Sequence, residues 1–208
     1  MRRLSVVLMG LLVLALSGCG QKAQTPPPAA ETPAETPAGT TEETPAGERN
    51  PTAAELGREE TTELAFTVEG ETELIPVTLY IGQGYSIYIP SEGWRLEKWV
   101  DDGIPEDTWE SIVNDDVELT VSHYAGKTAM EARDAFVRDE DYVFEDLMGG
   151  DLGDPLTGMD EDGDFLSFMA AQSGDGTVYV ISWEYPAEAA EGFGTRLALI
   201  ANTFQLTE

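Results

Sequence analysis

The sequence predicts an α+β domain in which a mainly antiparallel sheet carries two packed helices. Three observations predict it. Short runs between residues 61 and 208 alternate apolar and polar side chains with period two, and turn residues separate most of them. Two other segments space their apolar residues as helices do. All eighteen Trp, Tyr and Phe residues lie in 61–208, so the one core must be there. Consecutive strands joined by short turns pair antiparallel, because a parallel pair needs a long crossover.

Residues 62–68 and 74–81 read as strands joined by a turn that contains Gly70. Tyr85, Ile87 and Ile89 alternate with Ser86 and Tyr88, and Pro90 ends that run. Residues 95–100 read as the next strand, closed by Asp101-Asp102-Gly103, and residues 108–113 as a short one. Val117, Leu119 and Val121 alternate with Glu118, Thr120 and Ser122. Thr128 and Glu131 have capping-box spacing, which starts a helix running to about Asp139 with Ala129, Ala132 and Phe136 on its inner face. An extended segment at 142–147 is broken by Gly149-Gly150. Residues 156–159 and 165–171 form a hairpin around Asp160–Asp164, and residues 178–185 are the most β-prone run. Pro186 suits the first position of a closing helix in which Ala190, Phe193, Leu197, Ala201 and Phe204 share helical spacing.

The first sixty residues have another character. Arg2 and Arg3 precede an apolar run from Leu4 to Leu16, which is too short for a spanning helix and fits a signal-peptide core. Leu16-Ser17-Gly18-Cys19 resembles the lipobox of bacterial lipoproteins. That resemblance implies a signal peptide over 1–18, diacylglyceryl transfer to the Cys19 sulfur and then cleavage before Cys19, with the two acyl chains, of the palmitate type, anchoring the chain to the membrane. Residues 19–60 hold seven of the twelve prolines and three copies of Glu-Thr-Pro-Ala, at 31–34, 35–38 and 43–46. Such a composition cannot bury a core and reads as a disordered tether, with 61–208 as one globular domain.

The run Tyr85-x-Ile87-x-Ile89-Pro90-x-x-x-Trp94, with the later order of strand, helix, paired strands and closing helix, resembles PsbP-like domains. The resemblance implies an α/β/α sandwich around an antiparallel sheet. The whole chain also resembles uncharacterised lipoproteins of Gram-positive anaerobes, which implies an extracytoplasmic position at a Gram-positive cell surface.

Charge narrows the partners. The chain has 11 Lys+Arg against 40 Asp+Glu, a formal net charge of −29. A chain so acidic lacks the positive field that binds phosphate backbones, so nucleic acid is not expected as a partner. A basic protein partner fits better, and a monomer is expected. One Cys and one His exclude an internal disulfide and the usual catalytic zinc sets.

Several clusters carry chemistry on paper. Asp160, Asp162 and Asp164 place carboxylates at alternate positions, the pattern that converges on Ca2+, although the glycine spacing and twelfth position of an EF-hand are missing. The competing reading is a polar hairpin turn. Glu97, Asp101, Asp102, Glu106, Asp107 and Glu110 surround Trp99 and Trp109 as either a glycan- or cation-facing loop or an acidic loop with its tryptophans turned inward. His123 neighbours Ser122, but adjacent strand residues point to opposite faces. Gly192-Phe193-Gly194 lacks any phosphate-loop context and reads as close packing or a loosened helix start. Trp94, Trp183, Tyr179 and Ile181 are expected in the core. No catalytic set emerges. The expectation is therefore a lipid-anchored, extracytoplasmic binding or interaction module that is not an enzyme. A divalent-cation-responsive envelope module and a carboxylate-based hydrolase of wall or carbohydrate polymers are the alternatives.

Overall fold

The computed structural model describes residues 49–68, 70–140, 142–144 and 153–207. The signal segment, Cys19 and the tether up to residue 48 lie outside the described residues, as do 145–147 of the expected extended segment and Gly149-Gly150. The fold is α+β and mainly antiparallel, built from β1 (Thr61–Val68), β2 (Glu71–Ile81), β3 (Tyr85–Pro90), β4 (Trp94–Asp101), β5 (Ile104–Ser111), β6 (Glu118–Tyr124), α1 (Ala129–Asp139), β7 (Val143–Phe144), β8 (Leu156–Met159), β9 (Phe165–Gln172), β10 (Val178–Tyr185), α2 (Thr195–Ala201) and β11 (Gln205–Leu206).

The strands form two sheets where the sequence suggested one. Their orders are β1-β2-β3-β11 and β4-β5-β6-β10-β9-β8-β7. The break falls between β3 and β4. Pro90 has no amide to extend a ladder, and Gly93 takes φ 84°, a left-handed turn that redirects the chain into the second sheet.

The larger sheet is covered on both faces at β10, which explains the near-continuous apolar run there. Tyr179, Ile181 and Trp183 face the first core with Tyr85, Ile87 and Ile89 of β3 and Leu197, Ile200 and Ala201 of α2. Val178 and Val180 face the second core, with Ala129, Ala132, Ala135 and Phe136 of α1. As the capping-box spacing predicts, the Thr128 side chain accepts from the Glu131 amide while the Glu131 carboxylate accepts from the Thr128 amide. Phe136 packs on Phe168 with ring centroids 4.9 Å apart.

The closing helix departs from its expectation. Pro186 caps a 3-10 turn at Ala187–Ala189, a π-helical turn follows at Ala190–Gly194, and regular α-helix covers only Thr195–Ala201. Gly194 explains the crowding: a Cβ there would lie 3.1 Å from the Tyr185 ring. Phe204 is outside the helix and stacks on Tyr85 at 5.3 Å. The chain then pairs Gln205 with Ser86 and Leu206 with Tyr85, a two-residue strand too short to show any period.

The compact unit begins at Arg49, earlier than the expected boundary at 61. Ala53 is buried. Arg58 donates to Ser86 Oγ at 2.8 Å and to the Thr203 carbonyl at 2.9 Å, and its guanidinium lies 4.4 Å from the Tyr88 ring centre. These long-range contacts hold a segment whose own composition predicts none.

Candidate functional site

The acidic stretch that reads as a loop in sequence is a regular hairpin. β4 and β5 pair without interruption from Trp94 opposite Ser111 to Asp101 opposite Ile104. Asp102 (φ 46°) and Gly103 (φ 84°) both sit in the left-handed region, as a two-residue type I′ turn requires. Period two then separates the two tryptophans. Trp109 shares the inner face with Asp107 and is 4 % exposed, whereas Trp99 is on the other strand and face and is 45 % exposed. The inward reading is right for one tryptophan and wrong for the other.

β4 is the outermost strand of its sheet among the described residues. Leu96, Trp99 and Val100 are all exposed, Val100 by 72 %. The two cations of the strand are already engaged. The Arg95 guanidinium donates to Glu97 at 2.9 Å and also to Glu110. Lys98 Nζ donates to Asp107 Oδ1 at 2.7 Å and to Tyr80 Oη at 2.6 Å.

Behind this edge, Asp107 forms a buried latch between the sheets. It is 6 % exposed. Its Oδ2 accepts from Tyr80 of β2 at 2.9 Å and from Tyr85 of β3 at 2.6 Å. Burial alone pushes its carboxyl up, but the donors Lys98, Tyr85 and Tyr80 outweigh burial and hold it below its ordinary value. Burial first, then the Asp107 charge, pushes the Tyr85 hydroxyl far above its usual range. The cluster joins β2, β3, β4 and β5. Sequence reasoning placed Asp107 in an exposed loop. The signal that finds it is Trp109 two residues on: if Trp109 faces inward on a strand, so does Asp107.

His123 lies within β6. Its ring meets Tyr85 at 5.5 Å and Tyr179 at 5.0 Å between centroids, both edge-on. Burial lowers its pKa. Ser122 points to the opposite face, as expected, and donates to Glu106 Oε1 at 2.9 Å. Tyr179, Ile181 and Trp183 are buried, and Trp94 is half-buried against the same core.

The Asp160–Asp164 segment is the tight connection between β8 and β9. Asp160 Oδ1 accepts from the amides of Asp162 and Asp164, each at 2.9 Å. The Asp164 amide thus turns toward Asp160, while its own carboxylate accepts from the Ala187 amide; burial and the nearby Asp160 charge raise its pKa. The three carboxylates are close in sequence, but no group of three or more His, Cys, Asp or Glu side chains among the described residues is arranged to hold one metal ion.

A further carboxylate escaped sequence reasoning. Glu184, on the face of β10 that carries Val178 and Val180, accepts from the Tyr142 hydroxyl at 2.5 Å. Burial, with the charges of Asp164, Asp160 and Asp116, raises its pKa despite that donor. Its position depends on strands far apart in sequence, so no local pattern marks it. No helix among the described residues is long and apolar enough to cross a membrane.

No protein-family model matches the chain, and no curated protein matches it in sequence. Among solved structures it is similar to the solution structure of cyanobacterial PsbP (CyanoP) from Synechocystis sp. PCC 6803, at 15% identity and a TM-score of 0.45, over 63% of this chain and 92% of that one. It is also similar to a crystal structure from Bacteroides thetaiotaomicron VPI-5482, at 12% identity and a TM-score of 0.37, where it spans 46% of the other chain.

Proposed function

We propose that this chain is a lipid-anchored, extracytoplasmic module that works by binding another macromolecule and not by catalysis. The observation that carries the binding role is the exposed edge of β4, where Leu96, Trp99 and Val100 present apolar surface on an outermost strand. Exposed apolar groups clustered on an edge strand cost solubility and favour pairing, and folds ordinarily guard against them. The anchoring role rests on the Leu16-Ser17-Gly18-Cys19 motif and the Pro-rich tether that follows it. The tether gives the domain reach, and the acidic surface is repelled by anionic headgroups.

Two measurements test this reading. Metabolic labelling with palmitate should mark the wild-type chain and not Cys19→Ser; equal labelling removes the anchor. A photo-crosslinking amino acid at position 99 should give discrete adducts in cells, while one at Met130, exposed on α1, should not. Equal adducts from both positions, or none from either, refute the binding role.

A further inference from the structure

The edge of β4 has a definite chemistry. It runs eight residues, Trp94–Asp101, with unbroken pairing to β5 on one side. Eight extended residues span about 26 Å, enough to template a strand. The strand contains neither proline nor glycine, so no missing amide interrupts the side left unpaired among the described residues. Edge strands commonly block pairing with a charged side chain, especially lysine, reaching outward. Here Lys98 is tied to Asp107 and Tyr80, and Arg95 to Glu97 and Glu110. The usual guards are engaged within the fold.

Charge selects the occupant. Exposed Glu92 precedes the strand, exposed Asp101 ends it and exposed Asp102 follows it, while Glu106 lies directly across from Trp99. The positive ends of Arg95 and Lys98 are neutralised by carboxylates. A second copy of this chain would bring two strongly acidic domains together, since residues 61–208 hold 32 acidic against 6 basic side chains. A basic segment meets the opposite field.

Resting on the binding role proposed above, we infer that β4 captures an extended segment of a partner protein that alternates apolar and basic residues. That segment would add as a strand to the free edge, with its apolar side chains on the face of Leu96 and Val100 and its cations on the opposite face, toward Trp99 and Asp101. Main-chain hydrogen bonds give affinity in this mode, and alternate side chains give selectivity.

The test uses the full acylated chain in neutral detergent at about 150 mM salt, where long-range charge effects are screened beyond roughly 8 Å. The probe is a synthetic octapeptide alternating valine and lysine. Amide hydrogen exchange followed by mass spectrometry should show exchange in 94–101 slowed about tenfold or more. The double variant Leu96→Ser, Val100→Ser, which removes the exposed apolar groups of one face, should weaken binding about tenfold. The same peptide N-methylated at alternate residues keeps its charge but lacks donors, and should give no protection. Protection that survives N-methylation, or that spreads over Asp160–Asp164 as strongly as over β4, overturns strand addition. Equal binding of a valine–glutamate octapeptide overturns the charge selection. Crosslinks at position 99 without protection of β4 by the probe refute this inference and leave the binding role standing; absence of crosslinks removes the binding role itself.

Discussion

Replacing Asp107 with alanine tests the latch between the sheets. Tyr85 is fully buried, so its hydroxyl would lose its acceptor where water cannot replace it. An unsatisfied buried hydroxyl costs about 1–3 kcal/mol. Tyr80 is half-buried and recovers part of its loss from solvent. The Lys98 side chain is 62% exposed, so its ion pair with Asp107 is screened and adds about 1 kcal/mol at most. With the partial loss at Tyr80 and the small void left behind, the total is about 3–5 kcal/mol. In a domain of this size that lowers Tm by roughly 10 °C. Urea unfolding followed by tryptophan fluorescence measures it directly, since Trp109 lies on the same face of β5. The sign with pH follows from the depressed folded-state pKa of Asp107. Its stabilisation is fully present above the ordinary aspartate value and is lost as pH falls through the lower folded value. Wild type and variant should therefore converge in acid. A difference under about 1 kcal/mol at neutral pH, or a gap that persists unchanged in acid, refutes the latch.

Other perturbations follow from the same structure. Glu184→Gln should raise Tm at neutral pH. The raised folded-state pKa of Glu184 means that ionisation opposes folding as pH rises through the ordinary glutamate value, and glutamine keeps an acceptor for Tyr142; a lower Tm would show that the charge itself is needed. Gly84→Ala should destabilise by more than about 1 kcal/mol in thermal unfolding, because φ is +80° and the new Cβ would fall 2.1 Å from the Tyr179 hydroxyl. Thr128→Ala should cost about 1 kcal/mol by removing the capping box of α1, seen as a lower urea midpoint with unchanged slope. His123 has a folded-state pKa below its ordinary value, so its contribution should fade as pH drops below about 6.5. His123→Phe should flatten that part of the stability–pH curve.

The pattern of elements was legible because local signals are strong where they exist. The period-two runs at Tyr85–Ile89 and Val117–Val121, the Thr128–Glu131 box and the Asp160–Asp164 turn each rest on residues a few positions apart, and each lies in the predicted kind of element. The segment at 49–60 was misjudged because its order comes from Arg58 reaching Ser86 and Thr203, contacts that composition does not encode. The acidic stretch around Trp99 was ambiguous for a related reason. Composition marks 97–110 as polar, but the Asp102-Gly103 turn makes it a hairpin, and only pairing decides which face each residue takes.

By itself, then, the sequence determined the α+β class, the antiparallel bias, the capped helix and the strong negative charge, since each depends on residue type and short spacing. Tertiary structure alone decided that there are two sheets, that Asp107 is buried between them under Tyr80 and Tyr85, and that Trp99 is left exposed on the strand that is outermost among the described residues. Burial and pairing partners are set by residues distant along the chain, and an aspartate or tryptophan carries no mark in its local sequence of which side of a sheet the rest of the molecule will cover.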